Sequence, residues 1–146
     1  MKLTFSGNNA ILTINVLSYA YTNANDIDDM NWLRCKILCQ IGELKTVEDL
    51  FLQTSDFAFL QDSLTKFIQY SSDIVEFSTM EDQLYFLLQR KNNEINVKGK
   101  ISSLIPKQAT FTFEFVINHS INSLINDLVK IILAFPVKND ETESTI

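Results

Sequence analysis

Glycine is nearly missing from this chain: Gly7, Gly42 and Gly99 are its only three, each isolated from the others. A glycine-rich loop that cradles phosphates is thereby excluded, and so is a nucleophile elbow, whose serine needs glycine neighbours. Only two prolines occur and no tract is compositionally biased, which argues against a linker or low-complexity protein. No internal repeat at solenoid or propeller spacing is visible. Cysteine is limited to Cys35 and Cys39. On one face of a strand these stand about 13 Å apart, too far for a mutual disulfide. With His119 as the single histidine, no zinc-type ligand set can be assembled. The two thiols read as small buried apolar groups in a reducing compartment. Long apolar runs are absent as well. Leu84 to Leu88 and Ile131 to Phe135 fall far short of the roughly 20 residues a membrane helix needs. The opening MKLTFSGNN reaches Gly7, Asn8 and Asn9 before any run of signal-peptide length. The expectation is a cytoplasmic protein without a membrane partner.

What is abundant is phenylalanine, with eleven residues, and carboxylate, with a formal net charge of −6 over 146 residues. The aromatics supply enough apolar area for one real core, and the length favours a single globular domain over residues 1–137, followed by a mobile acidic tail over 138–146. A pI near 4.7 opposes binding to nucleic acid phosphates and favours a basic partner. Asp26, Asp28, Asp29, Glu43, Glu48, Asp49, Asp56 and Asp62 crowd the first half, whereas Arg90, Lys91, Lys98, Lys100 and Lys107 come later.

Hydrophobic alternation marks the strands. A short strand Lys2 to Ser6 leads through a turn at Gly7 to Asn9 into a second, with Leu12, Ile14 and Val16 on one face. After the polar loop Thr22 to Asp29, Leu33, Cys35, Ile37, Cys39 and Ile41 face inward, and Trp32, Arg34, Lys36, Leu38 and Gln40 form a mostly wet opposite side. Leu44 to Gln53 follows as an edge or half-solvated strand. Thr54 or Ser55 then caps a helix to about Tyr70, with Phe57, Leu60, Leu64, Phe67 and Ile68 as its stripe. Strands return at Ile74 to Phe77, Gln83 to Gln89, Glu94 to Ile101 and Ala109 to Ile117, with Gly99 marking a bulge or close backbone approach. A second helix, capped at Asn118 or Ser120 and ended by Pro136, carries Ile121, Leu124, Ile125, Leu128 and Ile132. The fold class is α+β: mostly antiparallel strands, in a sandwich-like or strongly curved sheet, with two amphipathic helices.

No constellation announces a reaction. His119 stands at a helix start, where a cap or surface role outweighs general-base chemistry. Asp26, Asp28 and Asp29 look like half of a calcium loop but lack its glycine and its closing glutamate. Glu81 and Asp82 are adjacent, belong to a turn and form no dyad. The expectation is no catalytic residue, no metal and no cofactor.

Five segments, in order, carry a family resemblance. They are the hairpin LTFSGNNAILTINVLSYAY, the compact DMNWLRCKI with Asn31, Trp32 and Leu33, the strand-to-helix step LFLQTSDFAFLQDSL, the pair IVEFSTMEDQLYF, and the long closing strands with their helix. Together they run from Lys2 to about Ala134, and the chain resembles the WapI-type immunity proteins of bacterial polymorphic toxin systems. One departure is visible: Asp82 stands where a proline often follows the glutamate matching Glu81. The resemblance implies a protein that is not an enzyme and neutralises a cognate protein toxin by binding it, with no cofactor. A basic nuclease suits the charge, and the expected partner-binding residues are Asp26, Asp28, Asp29 and Trp32, with Glu48 and Asp49 as neighbours. Two other readings stand beside this one. A small-molecule-binding β-rich domain would ring a pocket with Tyr19, Tyr21, Trp32 and Tyr85, and a structural or oligomeric adaptor would pair through the apolar faces around Tyr85 and Leu87.

Overall fold

Alternation over the strand segments and a 3.6-residue stripe over the helical ones resolve into eight strands and three helices in the computed structural model, which describes residues 1–79, 81–103 and 109–139. They follow in the order β1 (Lys2–Gly7), β2 (Ala10–Tyr19), α1 (Ile27–Met30), β3 (Trp32–Ile41), β4 (Leu44–Gln53), α2 (Thr54–Ile68), β5 (Ile74–Ser78), β6 (Leu84–Lys91), β7 (Glu94–Ser102), β8 (Thr110–Val116) and α3 (Ile121–Ala134). The strands form two antiparallel four-stranded meanders, β1-β2-β3-β4 and β5-β6-β7-β8. This is the α+β class that the sequence indicates.

Turn chemistry sets the hairpins. Asn92 and Asn93 both take positive φ, 51° and 66°, and match the right-handed twist of β6 and β7. Gly42 does the same at φ 59° between β3 and β4. Between β5 and β6, Asp82 adopts φ 56° and donates its N–H to the Thr79 carbonyl at 3.1 Å. A proline could supply neither the dihedral nor the hydrogen, so the departure at this position has a physical reason.

One face of each sheet is apolar, and the two faces share a single core with the long helices. Phe5 of the first sheet meets Phe86 of the second edge-on at 5.2 Å, and Phe86 stacks on Phe77 at 5.0 Å. The sheets approach at a corner where Gly7 bridges Ile117. A Cβ on Gly7 would stand 2.4 Å from the Val116 carbonyl, so only glycine permits the contact. Gly99 answers to the same constraint inside the second sheet, where a Cβ would meet the Tyr85 carbonyl at 2.0 Å. The register through Gly99 is unbroken, so it marks a close approach rather than a bulge. The bulge lies in β2, between Val16 and Ser18.

The second half of the chain repeats the architecture of the first, a four-stranded meander followed by a helix. Phe57, Leu60, Leu64 and Phe67, buried on α2, correspond at one constant spacing to Ile121, Leu124, Leu128 and Ile131, buried on α3. The helices pack on each other, α3 rests on β1 of the first half, and α2 touches both β4 and β5, the strands that flank it. The repeat escapes notice in the sequence because Phe in one helix is Ile in the other, and because α1 interrupts the first half where Asn92 and Asn93 suffice in the second.

Helix α2 starts one residue earlier than its hydroxyl residues indicate. Gln53 is the N-cap, and its N–H donates to Asp56 Oδ2 at 2.8 Å. Burial pushes the Asp56 carboxyl upward, opposed by that same bond. At the other end Arg90 donates to the Phe67 carbonyl at 2.8 Å and to Asp73 at 3.0 Å, its guanidinium lying over the rings of Phe67 and Tyr70. Helix α3 is capped by Ser120, whose Oγ accepts from Asn122 N–H at 3.1 Å. Of the expected C-terminal tail, Lys138 is held by the body of the protein and residues 140–146 lie outside the described residues.

Candidate interaction site

The one element of the first half without a counterpart in the second is the excursion from Ala20 to Asn31 that contains α1. Insertions into a repeated framework are where function commonly sits. Asp26 caps the helix, its Oδ1 accepting from Asp28 N–H at 2.7 Å, and Asp28 and Asp29 occupy the first turn, where carboxylates suit the dipole. All three are exposed, and among the described residues none of them forms an ion pair.

What holds this loop is Asn31. It is only 5% exposed and its side chain makes four hydrogen bonds. The amide donates to the carbonyls of Ile27 and Lys138, each at 2.8 Å, and Oδ1 accepts from Thr54 Oγ1 and Lys138 N–H, each at 2.7 Å. Asn31 thus joins α1, the start of α2 and the segment after α3. That segment is gripped a second time by Tyr19, whose hydroxyl donates to the Pro136 carbonyl at 2.8 Å and whose ring carries Lys138 Nζ at 3.8 Å and the edge of Phe135 at 5.4 Å. Gln53 adds a bond from Nε2 to the Asp28 carbonyl at 3.3 Å. The compact Asn-Trp-Leu motif is therefore a structural knot. Its role was hidden in the sequence because the partners lie 23 and 107 residues away.

Trp32, half-buried, opens β3 on the outer face of the first sheet, opposite Gln53. Asp49 shares that face four residues further along β4, paired with Lys36 at 3.5 Å, an exposed contact of small energy. Glu48 has the opposite parity and lies on the side of Leu50 and Leu52. Asp26, Asp28, Asp29 and Trp32 therefore gather at one end of the sheet, Asp49 stands roughly 13 Å along it, and Glu48 is directed to its other side.

The other chemistry-bearing residues serve the fold. His119 Nε2 accepts from Ser6 N–H at 3.1 Å, tying β1 to the start of α3, with Nδ1 facing the Ser120 carbonyl at 3.0 Å. Cys35 and Cys39 are free and buried on the inner face of β3, and burial pushes each thiol up to about 12, away from nucleophilic use. Among the described residues no group of His, Cys, Asp and Glu is placed to hold a metal ion. An open cavity of about 1030 Å³ on the second sheet is lined by Tyr85, Lys98, Lys100 and Glu114 but by none of Tyr19, Tyr21 or Trp32. Tyr85 lies on the second sheet, where its hydroxyl donates to Glu76 Oε2 of the neighbouring strand at 2.8 Å, while Tyr19 and Trp32 belong to the first.

Two meander halves, one distinguished by a tied acidic loop, define a small α+β protein whose individuality lies on its surface. The chain belongs to the immunity protein WapI-like family, whose profile matches residues 2–136, and its role is accordingly one in immunity. No curated protein matches it.

Proposed function

We propose that this protein acts in the cytoplasm as a non-catalytic immunity protein, binding a cognate toxin domain and masking it, with no cofactor. Family membership across residues 2–136 is the observation that carries this reading. The acidic loop supports a basic contact on the toxin, such as the phosphate-holding surface of a nuclease. Three exposed carboxylates, none in an ion pair among the described residues, on a loop tied down by Asn31 steer a cationic partner at a reduced ordering penalty. Trp32 supplies an aromatic anchor beside them, whereas Asp49, further along the sheet, is engaged by Lys36.

The test pairs protection with binding. Co-expression with the cognate toxin domain relieves growth arrest, and the purified proteins form a stoichiometric complex. Replacing Asp26, Asp28 and Asp29 together by asparagine slows association about tenfold at low salt and flattens its salt dependence, with dissociation little changed. Protection without a complex refutes neutralisation by binding, and unchanged association kinetics remove the loop from the interface.

A further inference from the structure

The outer face of the first sheet carries charge opposite in sign to the molecule as a whole. Strand register sets Lys2, Asn15, Lys36 and Asp49 in one row across the four strands, with Lys45 further along β4 and Arg34 opposite Phe51. Four cations thus share this face with one carboxylate, in a chain of net charge −6. Strands about 4.8 Å apart and same-face residues about 7 Å apart confine them to a patch roughly 20 Å across. Asp49 engages Lys36, and among the described residues Lys2, Arg34 and Lys45 form no ion pair.

Among the described residues no helix lies over this face, and it is partly apolar. Both long helices bury their stripes in the core on the inner side. Val47 is 45% and Phe51 37% exposed among the cations. Arginine beside a partly exposed aromatic on a sheet face is the composition of an interface hot spot rather than of a solvated surface.

We propose that this face receives a carboxylate-rich protein surface, and, resting on the toxin reading above, that the surface belongs to the same partner. The partner is then two-signed: basic where it meets Asp26, Asp28 and Asp29, acidic where it lies on the sheet. A nucleic acid strand fits less well. Its charge is of one sign and continuous, so it would have to run against the acidic loop at the end of the face.

The experiment needs no toxin. The full chain, labelled with ¹⁵N, is titrated with a decaglutamate peptide, a decalysine peptide and a ten-nucleotide thymidine strand, at low and at physiological salt. Decaglutamate is expected to shift amides of β1, β3 and β4 and to weaken as salt rises. The combined variant K2E/R34E/K45E loses about tenfold or more of that affinity, while K98E/K100E on the second sheet keeps it. Decalysine moves Asp26 to Asp29 instead. Absence of decaglutamate shifts on the first sheet, equal loss in K98E/K100E, or tighter binding of the thymidine strand to the same residues overturns the proposal. The wild-type shift map decides the matter even where a variant fails to fold. Failure of the chain to protect any cell would sink the immunity mechanism and leave this result standing.

Discussion

Replacing Asn31 by alanine removes four hydrogen bonds from one buried amide and tests whether that residue ties the molecule together. The loss is uneven. Water can reach the Ile27 carbonyl and the backbone of Lys138, so those bonds return part of their energy to solvent. Thr54, only 2% exposed, keeps a stranded hydroxyl. At about 1 kcal/mol net for each of the three exchanged bonds, and more for the buried hydroxyl left unpaired, the sum is about 4 kcal/mol or more. For a chain of this size that lowers the melting temperature by roughly 10 °C. Thr54→Val, which breaks only one of the four, is expected to lose about 1 kcal/mol. Urea denaturation gives the energies, and hydrogen exchange at the Lys138 amide, which donates to Asn31 Oδ1 at 2.7 Å, reports the local effect. Removing residues 136–146 deletes the same two Lys138 bonds, so its effect and that of Asn31→Ala are less than additive. A loss below about 1 kcal/mol, or full additivity with the truncation, refutes the assignment of Asn31 as a knot.

Gly7→Ala and Gly99→Ala each place a methyl within 2.4 Å or less of a backbone carbonyl, and each is expected to destabilise by about 3 kcal/mol or more in urea denaturation, whereas the same change at a surface turn would not. Cys35 and Cys39 keep their protons in the folded state to about 12, while the unfolded thiols ionise near 9.0, so stability present below pH 9 falls as pH rises above it. Each thiol contributes a slope of about 1.4 kcal/mol per pH unit in that window. A C35A/C39A variant shows a flatter alkaline limb in denaturation curves, and the native thiols react slowly with a disulfide reagent at neutral pH. Rapid labelling of the folded protein would contradict their burial.

The strands and the two long helices were legible because each buries one face, and burial of one face writes a period of 2 or 3.6 into the chain: Leu12, Ile14 and Val16 for a strand, Phe57, Leu60 and Leu64 for a helix. Helix α1 was not, since its four residues are too few to show a period and are specified by the Asp26 cap and by Asn31. Helix α2 starts one residue before its hydroxyls indicate, because Thr54 spends its hydroxyl on Asn31 rather than on its own helix. For the candidate site, the acidic triplet was visible as composition, and Arg34 and Lys36 were visible as the wet side of β3. That Lys2 and Lys45 join them is a property of register across four strands, which alternation within one strand does not contain.

The packing of α2 on α3, with α3 lying on β1, ties the first strand of the chain to its last helix. Both sheets and both long helices contribute to one buried cluster, so a cut at the link around Ser71 would open part of the core that each fragment keeps. The β1–α3 contact closes a loop of almost the whole chain, the kind of long-range pairing that slows folding.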